Sequence, residues 1–65
     1  MDELEKLKHL IEHWIEHNEA HVNTYREWAS KAEASGKKEL SEILKQITDE
    51  SKKLEGLFKK ALDSI

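Results

Sequence analysis

Apolar and semi-polar residues recur at Leu4, Leu7, Ile11, Trp14, Asn18, His21, Tyr25, Trp28 and Ala32, in alternating steps of three and four. Steps of that size return each side chain to one side of an α-helix, so the pattern predicts a long helix with a continuous stripe. Leu10, Ile15, Val22 and Ala29 widen that stripe on its flanks. A second stripe at Leu40, Ile43, Leu44, Ile47, Ser51, Leu54, Leu57, Phe58, Ala61, Leu62 and Ile65 has the same period. Between the two lies Ala34-Ser35-Gly36-Lys37, where glycine can take the left-handed conformation that closes a helix. Asp2, followed three residues later by Glu5, predicts a capping box at the start.

The expected elements are a helix over about 2–35, a turn at 36 and a helix over about 37–64, in one domain spanning 1–65. So short a connection forces the helices to be antiparallel neighbours. The fold class is therefore all-α, an antiparallel two-helix hairpin. The alternative layout breaks the second helix near Thr48-Asp49 and gives three helices. The stripe runs through Ile47, Ser51 and Leu54 without interruption, which favours the unbroken form. Gly56 falls opposite the centre of its stripe and is expected to be an exposed helix position.

Each stripe is wider than one facing helix can cover, and leaving Leu10, Trp14, Ile15, Tyr25 and Trp28 wet would create a large apolar patch. Pairing into a four-helix-bundle homodimer resolves this, with a marginally stable monomeric hairpin as the alternative. Composition points the same way. Sixty-five residues without a cysteine cannot use a disulfide or a thiolate zinc site to supplement a small core. Charged residues make up 38% of the chain with interspersed signs and a net charge of −3, which argues against a partner made of nucleic acid. Apolar runs never exceed two residues, so no membrane span or signal segment is expected, and the expected location is cytoplasmic.

Candidate chemistry is confined to His9, His13, His17 and His21, which are all of the histidines and lie four residues apart. Residues four apart stand one helical turn above each other, so each neighbouring pair can clamp one transition-metal ion. Each step also turns by about 40°, so the ladder should start in solvent at His9 and reach the core at His21. In the core His21, Asn18 and Ser51, with Glu50 or Glu55, would form a buried polar layer. That layer has two readings, a hydrogen-bonded device that fixes register and a metal site with His17 and His21 as ligands. Glu12 and Glu16, on the exposed flank, would help retain a cation without ligating it. Neither a Glu-x-x-His di-iron spacing nor a His-Glu-x-x-His zincin motif occurs, and the serines and threonines are scattered without a recognisable base arrangement. The chain is not expected to be an enzyme.

The segment LIEHWIEHNEAHVNTYREWASKAEASG resembles a family of small uncharacterised prokaryotic helical proteins and terminal domains with a His-Trp-x-x-His-Asn-x-x-His motif, then aromatic-x-x-Trp-Ala. The matching positions are His13, Trp14, His17, Asn18, His21, Tyr25, Trp28 and Ala29. The resemblance covers the first half of the chain, leaves His9 outside, and implies that His13, His17, Asn18 and His21 act as a unit.

The expected function is binding of a divalent transition metal (Zn²⁺, Ni²⁺ or Co²⁺) for carriage, buffering or sensing, with His13, His17 and His21 as ligands. The alternative is a non-catalytic interaction or oligomerisation module, docking a copy of itself or another protein, with a structural polar layer. A buried His21 would make stability fall as pH drops below about 6.5, because the unfolded chain would bind the proton more readily.

Overall fold

The computed structural model describes residues 2–65 and consists of two helices, α1 (Glu3–Ala34) and α2 (Lys38–Asp63). They pack along their whole length as an antiparallel hairpin, with bounds a residue or so inside those expected. Asp2 caps α1 by accepting a hydrogen bond from the Glu5 backbone N–H at 2.8 Å. The return half of the expected capping box gives way to a different contact, in which the Glu5 carboxylate lies 3.9 Å from His9 Nε2. α2 is unbroken through Thr48 and Asp49, which rules out the three-helix layout.

The turn is chemically explicit. Gly36 sits at φ 81, and Lys37 N–H reaches back to the Ala32 carbonyl at 2.9 Å while Gly36 N–H reaches Glu33 at 3.0 Å. This is a Schellman closure, and it satisfies carbonyls that the end of α1 would otherwise leave open.

The seam between the helices is not the one the widest apolar stripes suggest. α1 contributes Ile11, Ile15, Asn18, Val22, Tyr25, Ala29 and Ala32, and α2 contributes Ser41, Leu44, Thr48, Ser51, Glu55, Phe58 and Leu62. Among the described residues only Ile11, Val22 and Ala29 are fully buried apolar residues, joined by Ser41 and Thr48. The centre line of α1 is thus turned by about 50°, half a residue, from the expected one: Ile11, Asn18, Tyr25 and Ala32 stay in the seam, while Trp14, His21 and Trp28 lie on its flank and outside it. α2 turns the same way, since Leu40, Ile43, Ile47, Leu54 and Leu57 remain 40–59% exposed.

Small and hydroxylated residues make this seam workable. Ser41 donates its hydroxyl to the Ala29 carbonyl across the hairpin at 2.8 Å, and Thr48 donates to its own helix at Leu44, 2.9 Å. Asn18 Nδ2 donates to the Ser51 carbonyl at 2.8 Å. Among the described residues no buried side-chain polar atom lacks a partner, so the polar seam carries no desolvation penalty from unpaired groups.

A radius of gyration of 15.3 Å, against about 11 Å for a compact domain of this length, records a molecule one helix pair thick.

Gly56 is helical, and a Cβ there would meet nothing within 4 Å. Gly56→Ala should therefore stabilise the fold by about 0.5–1 kcal/mol in urea denaturation. Gly36→Ala should destabilise it by a similar amount, because φ is positive at the Schellman position. A neutral result at both positions would contradict this account of the turn and of α2.

Candidate functional site: the histidine ladder and the apolar flank

The four-residue spacing on α1 produces a column of stacked rings. His13 and His17 lie edge to face with ring centres 4.4 Å apart, His17 and His21 are 6.4 Å apart, and His21 stacks on Tyr25 at 6.0 Å and 18°. His9 stands outside the column and turns to Glu5 at 3.9 Å and Glu12 at 3.5 Å. Tyr25 continues the same four-residue step from His21, a relation visible in the sequence but hidden by its assignment to the apolar stripe.

The turn of about 40° per step carries the column from solvent toward the seam, as anticipated, but one step later. Tyr25, half-buried, is the ring that reaches the seam, whereas His21 stops on the flank and is exposed. The expected layer of Asn18, His21, Ser51 and a glutamate is therefore reduced to Asn18 and Ser51, with Glu55 nearby in the seam and Glu50 outside it. The acid-destabilisation expected of a buried His21 loses its basis with its burial.

Two imidazoles bound to one zinc at 2.0–2.1 Å in a tetrahedral arrangement have ring centres roughly 5 Å apart. The two spacings in the column lie on either side of that value. Among the described residues no three His or carboxylate side chains converge on one point, whereas a zinc site takes three or four protein ligands.

The two flanks of the hairpin have opposite character. Trp14, His21 and Trp28 each precede a seam residue by one position, as do Leu40, Ile47 and Leu54, and in an antiparallel pair this places all six on one flank. Leu7 and Ala61 extend the row, while Leu10, Ile43 and Leu57 broaden it. The opposite flank carries Glu12, Glu19, Arg26 and Glu33 on α1 and Lys45, Lys52 and Lys59 on α2. Arg26, Lys45, Asp49 and Lys52 line a shallow groove there.

On that charged flank Glu19 meets Glu55, a contact the stripes did not reveal because Glu55 takes an apolar slot in α2. A side-chain hydrogen bond with Glu55, and the repulsion between the two carboxylates, raise the Glu19 pKa above its ordinary value of 4.5, with desolvation and Glu16 adding to the shift and Lys59 opposing it. Glu55 itself is ion-paired with Lys59 at 3.6 Å.

The chain is an all-α helical hairpin. The chain belongs to the family described as Domain of unknown function (DUF8180), whose model matches residues 7–65. It is 37% identical over 62 residues to an uncharacterized protein of Archaeoglobus fulgidus, a match covering 95% of this chain and 98% of the relative. No solved structure matches the chain.

The Glu19–Glu55 contact has a signed consequence for pH. With the Glu19 pKa raised in the fold, the folded chain holds that proton more tightly than the unfolded one, so this contribution is full below about pH 4.5 and is lost as pH rises through the folded value. Glu19→Gln should therefore raise the melting temperature at pH 7, followed by circular dichroism, and give no gain at pH 4. An equal gain at both pH values would place the effect elsewhere.

Proposed function

We propose that this protein is a non-catalytic self-association module, a hairpin that pairs with a second copy to form a four-helix-bundle homodimer. The observation that carries this reading is the apolar flank. Leu7, Leu10, Trp14, Trp28, Leu40, Ile43, Ile47, Leu54 and Leu57 are each 37–59% exposed, whereas three apolar residues are fully buried in the hairpin. Together these nine side chains present on the order of 800 Å² of apolar surface, the share each partner contributes to a stable interface of standard size. The area exceeds the patch that a monomeric protein ordinarily leaves wet.

A second copy fits the flank better than an unrelated protein, because a two-fold pairing lays one apolar row on another and leaves both charged flanks in solvent. Among the described residues no helix is long and apolar enough to cross a membrane. Solubility in the cytoplasm belongs to this proposal.

The ring column favours a second reading, in which the unit His13, Trp14, His17, Asn18 and His21 binds Zn²⁺, Ni²⁺ or Co²⁺ for carriage, buffering or sensing. Its support is the spacing of His13, His17 and His21, at 4.4 and 6.4 Å.

Sedimentation equilibrium of the metal-free chain at about 100 μM should give roughly twice the mass of a 7.6 kDa protomer. Ile47→Lys, which places a charge in the middle of the flank, should weaken association by about 100-fold or more while circular dichroism keeps its helical shape. A wild-type chain sedimenting at the protomer mass would count against the proposal.

A further inference from the structure

We infer that His17 and His21 are one half of a transition-metal site that a second copy of the chain completes, so that one Zn²⁺, Ni²⁺ or Co²⁺ ion is held between two identical histidine pairs. This rests on the self-association reading and adds to it a ligand and a place.

His21 is the polar interruption in the α1 half of the apolar flank, with Trp14 one heptad before it and Trp28 one heptad after. It lies close to the middle of the hairpin's length, near the level at which Asn18 meets Ser51. A two-fold axis crossing the hairpin at mid-length, perpendicular to its length, lays α1 of one protomer antiparallel on α1 of the other. In that arrangement His21 approaches the partner's His21 near the axis. The ring below it in the column, His17, lies 6.4 Å away on the side leading to solvent.

Chemistry then selects the occupant. An imidazole carried into an apolar interface must find a partner for its ring nitrogens or lose the hydrogen bonds it made to water. A metal ion on the axis takes up the lone pairs of both histidine pairs at once. Two pairs, each spanning one helical turn and related by a two-fold, supply the four-coordinate nitrogen set that zinc accepts.

The assignment separates the histidines. His13 lies one further step of about 40° toward solvent and packs edge to face on His17 at 4.4 Å, so it supports the His17 ring and ligates nothing. His9, turned to Glu5 and Glu12, lies outside the site.

The test combines zinc titration by calorimetry with sedimentation equilibrium on four proteins: the wild type, His13→Ala, His21→Ala and Ile47→Lys. The wild type should take up one Zn²⁺ per two chains and associate at least tenfold more tightly with zinc than without it. His13→Ala should keep both properties. His21→Ala should remain helical and dimeric but lose the zinc-dependent gain. Ile47→Lys, unable to pair, should bind zinc about 100-fold more weakly, because the second pair of ligands is no longer held in place. One ion per chain, bound equally well by Ile47→Lys, would overturn the shared site. A dimer indifferent to zinc would overturn it too, while leaving self-association standing. A wild type that stays monomeric at every zinc concentration would overturn both.

Discussion

The seam between α1 and α2 is the constraint on which everything else depends. It is built from Val22, Ala29, Ser41 and Thr48, residues small or branched enough for two helices to lie close together. Its hydroxyls are satisfied by backbone carbonyls, Ser41 across the hairpin on Ala29 and Thr48 within α2 on Leu44. Once these residues face inward, the rotation of both helices is fixed. The tryptophans and the Leu/Ile row of α2 are then displaced onto one flank and the charges onto the other. Function follows from what the seam leaves outside.

That arrangement is costly for an isolated hairpin. A chain of this size has little core to begin with, and here its largest apolar side chains contribute least to it. Trp14 touches Phe58 at a ring separation of 6.1 Å, and Trp28 is covered on one side by Lys31, whose ammonium lies 4.4 Å from the ring centre. Both contacts shield edges of the flank without closing it. In the proposed dimer, a pair of hairpins sharing the flank would remove the cost and give each protomer the core that its own seam lacks.

The histidine column is set by the same rotation. Its four-residue step drifts around α1 by about 40° per turn, so the helix's orientation decides which ring reaches solvent, flank or seam. With Tyr25 at the seam, His21 occupies the flank and His13 and His9 point away from it. Turned by about 50°, half a residue, the same column would bury His21 beside Asn18. The chemical identity of the site therefore hangs on a packing choice made by residues that carry no chemistry of their own.

Much of this protein was legible in the sequence alone. The helical period, the Gly36 closure, the Asp2 cap and the exposure of Gly56 are local properties, dictated by backbone geometry and by residues within one turn of each other. The stacking of His13, His17 and His21 is local too, since a spacing of four brings rings together on any α-helix. What only the tertiary structure decided is which side of each helix faces the other. Periodicity could not choose between a seam through Trp14, His21 and Trp28 and one through Ile15, Val22 and Ala29, because both rows repeat every seven residues. The choice was made by fit: tryptophan, leucine and isoleucine fill the wider row, while alanine, serine and threonine permit the closer approach and can satisfy their own hydroxyls. The Glu19–Glu55 contact escaped the sequence for the same reason, since it joins residues 36 apart that meet only once that rotation is set.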